Sequence, residues 1–332
     1  MRKTVLGLAV LAAMAGGAAA ADDSYPAKEI QGIIQWGAGG STDTVMRSVT
    51  PHAAAALGGN IVMQNKTGGV GAIALRHVQS QKADGYTLLM GAENPQMYKV
   101  LGLGTDDYTD MIPISVLARG VPIFVAANDA PYDTMAEFVA YAKAHPGEVR
   151  VGSTGPGGLT SIVLAMLTSQ EDVDFTRVPY DGDGPALTAL QGGALDVMPV
   201  VLGAGIEAVK AGRMKVIGLV DTEANPLLPG VAPVTDDIPG FADYLPWGPF
   251  FGVFAKKGTP DEIVAKLQAA YAEGAQNPDF VKLMEDRGFI IMAVSGDEAM
   301  EFLEGYRSVS SWLVHDAGFA KKSPEEFGIP RP

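Results

Sequence analysis

The chain has 332 residues, 47% of them hydrophobic, with 41 Gly, 22 Pro and a formal charge of −14. That length fits two domains of ~150 residues, and the apolar fraction excludes wholesale disorder. The absence of Cys excludes disulfides, thiolate metal sites, a cysteine nucleophile and a lipoprotein anchor. The acidity argues against a nucleic-acid partner, because phosphate contacts need clustered Lys and Arg.

The first segment reads as a targeting signal. Arg2 and Lys3 precede an apolar run from Thr4 to Met14, then Ala18 to Ala21, then Asp22-Asp23. This pattern predicts a signal peptide over residues 1–21, cleaved near Ala20 or Ala21, and a mature protein exported to a periplasm. No later run reaches the roughly 18 apolar residues of a membrane span. Nucleotides are scarce outside the cytoplasm, so no cofactor is expected.

The body reads as strand–loop–helix units. An apolar strand over Glu29–Trp36 meets Gly37-Ala38-Gly39-Gly40. Ser41, Thr42 and Asp43 then open a helix that Pro51 should kink or interrupt and Gly58-Gly59 should end. Next come a strand at Ile61–Gln64, a glycine turn at Gly68–Gly71, a helix at Ala72–Gln81 and a strand at Tyr86–Met90. Strands follow at Ile112–Leu117 and Ile123–Ala126, with a helix over Thr134–Ala144. In the second series, strands at Val149–Gly152, Thr176–Tyr180, Val197–Val201 and Val216–Val220 alternate with helices at Leu159–Thr168, Pro185–Leu190 and Ile206–Lys210. Pro226–Pro239 reads as a connector. A strand at Trp247–Ala255, helices at Pro260–Ala275 and Phe280–Arg287, a strand at Phe289–Ala293 and a helix at Asp297–Ala317 complete the chain. This alternation predicts an α/β fold of mostly parallel sheets flanked by helices.

In such folds ligands sit beyond the carboxyl ends of strands, against helix N-termini. Two loops fit that place, Gly37–Asp43 and Ser153–Thr160. Each joins Gly, which lets backbone amides approach a ligand, to hydroxyls that donate, so the pair could grip one carboxylate without Arg or Lys. Either loop could equally be an ordinary turn with a helix cap. Glu93, Asp181 and Asp183 follow strands, as pocket acids or as solvated turn residues. Asp196 opens a strand after Gly192-Gly193, where a turn or cap role is the plainest. Trp247, Phe250 and Phe251 suit either core packing or a ligand-stacking wall. Enzyme motifs fail. Gly152–Gly158 lacks the Lys of a phosphate loop, Thr42 stands where a dinucleotide fingerprint needs Gly, and no G-x-S-x-G elbow occurs. His52, His77, His145 and His315 form no metal pattern. No enzyme activity and no metal are expected.

The ordered set Gly39-Gly-Ser-Thr-Asp43, Asn65-Lys-Thr-Gly-Gly-Val-Gly71, Ala83-Asp-Gly-Tyr-Thr-Leu-Leu89, Gly152-Ser-Thr-Gly-Pro-Gly-Gly158, Val178-Pro-Tyr180 and Gly192-Gly-Ala-Leu-Asp196 resembles the solute receptors of tripartite tricarboxylate transporters. The resemblance runs over almost the whole mature chain. It implies a two-lobed periplasmic binding fold, type II-like, with a ligand cleft between the lobes. Lobe 1 would hold residues 22–120 and 246–332, and lobe 2 residues 121–245, with crossings near Arg119–Ala127 and Thr222–Leu245. It further implies a monomeric receptor without a membrane anchor that closes over a small carboxylate-bearing solute and hands it to membrane subunits of the transporter. A sensor feeding a signalling partner and an exported enzyme are the alternatives. The candidate ligand-binding residues are Trp36, Gly39, Gly40, Ser41, Thr42, Asp43, Glu93, Ser153, Thr154, Gly155, Gly157, Gly158, Thr160, Tyr180, Asp181 and Asp196. Asp181 stands where the family commonly has Lys, and Glu93 where a small neutral residue is commoner. If they face the cleft, a plain di- or tricarboxylate would be repelled, and a solute bearing both a carboxylate and an amine would fit better. If they turn outward, they have no part in binding.

Overall fold

The computed structural model describes residues 25–245 and 247–332. The expected signal peptide over 1–21, with its cleavage point at Ala20 or Ala21, lies outside the described residues, as do 22–24 and Pro246.

Eleven strands among the described residues form two sheets. The first holds β1 (Ile30–Ile34), β2 (Ile61–Asn65), β3 (Thr87–Ala92), β4 (Met111–Arg119), β10 (Phe250–Lys256) and β11 (Ile290–Val294), in the order β11-β4-β10-β3-β1-β2. The second holds β5 (Pro122–Ala126), β6 (Arg150–Ser153), β7 (Thr176–Pro179), β8 (Val197–Val201) and β9 (Lys215–Leu219), in the order β7-β6-β8-β5-β9. The helices are α1 (Ser41–Leu57), α2 (Ala72–Gln79), α3 (Tyr98–Leu101), α4 (Met135–Ala144), α5 (Leu159–Gln170), α6 (Asp183–Gln191), α7 (Leu202–Lys210), α8 (Val234–Asp237), α9 (Asp261–Ala275), α10 (Pro278–Asp286) and the long α11 (Gly296–Asp316). Central strands are apolar on both faces, as strands covered by helices on either side must be. Every residue of β8 and of β5 is buried.

The sheets are mixed rather than mostly parallel. Strands joined through helices pair in parallel, as β1 does with β2 and β3, and β6 with β7 and β8. The pairs made by β10, β4, β11, β5 and β9 are antiparallel. The cause is the route of the chain. It leaves the first sheet on β4 and enters the second on β5 after only Gly120-Val121, and it returns to β10 after residues 220–249. A strand that enters from the other sheet is not turned round by a crossover helix, so it runs against its neighbours.

Helix α1 runs through Pro51 without interruption. Pro51 lies exposed, while Val45, Met46, Val49 and Ala53 on the inner face are buried, so packing on both sides of the ring carries the helix past its missing amide. Gly58 adopts a left-handed conformation and ends the helix as expected. The second helical series starts earlier than its apolar spacing suggests. Helix α6 begins at Asp183 rather than Pro185, and α7 at Leu202 rather than Ile206.

Candidate functional site

The carboxyl ends of the parallel strands of both sheets converge, and so do the N-termini of the helices that follow them. Between them lies a small cavity of about 30 Å³. From the first sheet it is lined by Trp36 after β1, Gly40, Ser41 and Thr42 at the start of α1, Ala92 and Glu93 at the end of β3, and Pro249 and Phe251 beside β10. From the second come Thr154 and Leu159 around the start of α5, Gly182 and Asp183 at the start of α6, and Val201 ahead of α7. The first-turn amides of α1, α5 and α6 have no helical partner and carry the positive end of each helix dipole, which favours an anion. A larger open groove elsewhere is lined by Arg76, Lys99 and Lys322, but it does not lie at the strand ends.

The two halves touch around the cavity. The Gly37 amide donates to the Asp181 carbonyl at 3.1 Å, and the Ser41 hydroxyl to the Asp183 carboxylate at 3.0 Å. Asn94 uses its whole amide. Its oxygen accepts from Gln35 and Trp36 at 2.9 and 3.1 Å, and its nitrogen donates to Glu93 at 3.1 Å and to the Gly157 carbonyl at 2.8 Å. Glu93 is 3% exposed. Burial pushes its carboxyl up to about 8, and the charge of Asp183 adds to the shift. Burial likewise raises Asp183 to about 6, against the Ser41 hydrogen bond, which lowers it. The cavity lining includes no Lys, Arg or His.

The model of the tripartite tricarboxylate transporter family receptor matches residues 45–318. The chain belongs to this receptor family. A UPF0065 protein of Cupriavidus necator is 32% identical over 83% of this chain and 81% of its own length. Two solved structures are similar over their full lengths. The periplasmic binding protein BugD is 26% identical, with a TM-score of 0.81 over 90% of this chain and 100% of its own. MatC from Rhodopseudomonas palustris, solved with bound malate, is 28% identical, with a TM-score of 0.79 over 87% of this chain and 99% of its own. The fold is therefore that of periplasmic binding proteins, and the family is one of solute receptors rather than enzymes. No helix among the described residues is long and apolar enough to cross a membrane.

Within the receptor, the two loops read from the sequence divide into contact and support. Trp36, Gly40, Ser41, Thr42, Glu93 and Thr154 line the cavity. Asp43 braces the first loop from behind, accepting from the Gly39 amide, Arg47 and Asn65 at 3.1, 2.8 and 2.9 Å. Gly39 itself is exposed. Thr160 is fully buried, and its hydroxyl accepts from the Thr154 amide at 2.8 Å, which fixes the second loop. Ser153 supports the same turn through the Gly155 amide, and Gly158 caps α5. Gly155 and Gly157 have positive φ, +90° and +78°, and face the other half. A Cβ at Gly155 would lie 2.8 Å from Val70, and one at Gly157 would collide with Leu101.

Three further expected residues, outside the two loops, also stand apart from the cavity lining. Asp181 is exposed and contributes only its backbone carbonyl, to Gly37. The acid of this segment that lines the cavity is Asp183, which opens α6 after Gly182, the helix cap with φ +138°. Asp196 forms a two-pronged ion pair with Arg150, at 2.6 and 3.0 Å, and anchors the start of β8. Tyr180 donates its amide to the Ser153 carbonyl and packs its ring on the core beneath the second sheet. Of the aromatic run, Phe251 lines the cavity, whereas Trp247 and Phe250 pack against Tyr306. Val201 and Pro249 have no signal in the sequence, since only the pairing of the sheets brings them to the site.

Proposed function

We propose that this protein is a periplasmic receptor that captures a small carboxylate-bearing solute between two lobes, residues 22–120 with 246–332 and residues 121–245, and delivers it to the membrane subunits of a tripartite tricarboxylate-type transporter. The convergence of three helix N-termini from both sheets on one cavity carries this reading, because such termini hold a carboxylate without a cationic side chain. The malate bound by MatC is a solute of that class. Thr42 and Thr154 supply hydroxyl donors, Ser41 is engaged by Asp183, and Asn94 links the closed halves.

Calorimetric titration of the mature chain against short organic acids and amino acids tests capture, and solution scattering with the best binder tests closure. Saturable one-to-one binding with a smaller radius of gyration is expected. Binding without compaction removes the clamp, and no binding across the panel removes the receptor reading. Solute uptake in cells with and without the receptor tests delivery.

A further inference from the structure

Two carboxyl groups face one cavity, and they come from opposite halves. Glu93 follows β3, and Asp183 opens α6. Closing the halves brings two acids into a space whose lining includes no cationic side chain. The only side chain among the described residues that donates to Glu93 is that of Asn94, and the one that donates to Asp183 is Ser41. The titratable groups that raise or feel the charge of Glu93 are Asp183 on α6, Tyr98 on α3, Tyr108 ahead of β4 and Tyr306 on α11. Burial holds the three tyrosines neutral, well above their ordinary range. The Val201 backbone also hydrogen-bonds Asp183, but the lining offers no cationic partner for an ionised pair of acids.

We propose that the solute itself supplies it: an ammonium seated between Glu93 and Asp183, with the solute carboxylate at the N-termini of α1 and α5. The inference rests on the receptor reading above and names the class of solute, an amino-bearing short carboxylate. An inorganic cation fits less well. No group of three His, Asp or Glu among the described residues could hold a metal, and Ca²⁺ takes about six to eight oxygens.

The direction of pH dependence separates an ammonium from a second anionic group. An ammonium needs Glu93 ionised. With the halves together, burial and Asp183 push that carboxyl up to about 8, so seating an ammonium there releases a proton and tightens as pH rises toward that value. An anionic group would instead accept a hydrogen bond from the protonated carboxyl, and its binding would weaken over the same range.

The experiment is calorimetric titration of the mature chain at pH 6.5 and 8.5 with matched pairs: aspartate and malate, glutamate and 2-hydroxyglutarate, 4-aminobutyrate and butyrate. The expected result is preference for an ammonium-bearing member by about tenfold or more, tighter at the higher pH. Glu93→Gln and Asp183→Asn should each weaken that member by about tenfold while leaving its partner unchanged or improved. Preference for the member without the ammonium, or weakening as pH rises, overturns the ammonium subsite and leaves the receptor reading standing. Binding by no member of any pair overturns the receptor reading for short carboxylates, and this inference with it.

Discussion

Glu93 is a residue whose usefulness and cost come from the same burial. Its ordinary value is 4.5 and its folded value about 8, so the folded state holds a proton that the unfolded state releases. The stability this gives is fully present below pH 4.5 and is lost as pH rises through about 8. Asp183 repeats the pattern from 3.8 to about 6. The ligand-free Glu93→Gln protein should therefore outlast the wild type as pH rises from 5 to 9. The gap should reach a few kcal/mol, since each pKa unit is worth about 1.4 kcal/mol. Denaturant unfolding of both proteins across that range measures it, and parallel stability curves would mean that Glu93 does not titrate with folding. The sequence makes Glu93 visible as an acid just beyond a strand. It does not separate Asp181 from Asp183. Two acids flank one glycine, and which of them faces inward depends on the residue at which α6 starts.

At the scale of an element, α1 carries both the Ser41-Thr42 contact and the dipole that favours a carboxylate. Its inner face rests on α9, where Gly274 meets the backbone of Ala53. A Cβ at Gly274 would lie 2.8 Å from the Ala53 nitrogen. Gly274→Val should destabilise the fold by about 1–3 kcal/mol through overpacking, measured by urea unfolding. It should also weaken solute binding, although it lies far from the cavity, because α1 must tilt to admit the side chain. Unchanged affinity would show that α1 holds its position without α9. The existence and type of such helices are legible in the sequence, since Gly40-Ser-Thr-Asp43 is start chemistry and Gly58 is stop chemistry. The passage through Pro51 is not, because local propensity opposes it and only burial of the face around Ala53 outweighs that.

For the molecule as a whole, the close approach of the halves is a constraint on the loop at Gly155–Gly157. These residues touch Val70 and Leu101 of the first half only because they lack a side chain. Gly157→Val should fold, since in the proposed clamp the loop is free when the halves part, with about 1–2 kcal/mol of strain from its positive φ. It should bind at least about tenfold more weakly, because closure is blocked, and the radius of gyration should stay large when solute is added. A variant that still compacts with wild-type affinity would remove this loop from the closing surface. The mixed pairing of the sheets belongs to this scale too. Strand β10 lies between β3 and β4, more than 130 residues before it in the chain, and brings Phe251 and Pro249 to the cavity.

Local chemistry is written in the chain, and so the sequence alone determined the alternation of strands and helices, the two glycine and hydroxyl loops, the acidity and the membership of a receptor family. These depend on residues a few positions apart, where periodicity, caps and turns act directly. What only the tertiary structure decided are properties of long-range contact. It turned Asp183 inward and left Asp181 in solvent. It paired Asp196 with Arg150. It set Glu93 in a cavity whose lining holds no counter-charge. Each of these outcomes depends on burial and on neighbours up to 142 residues away, such as Ser41 beside Asp183, and no local pattern encodes them.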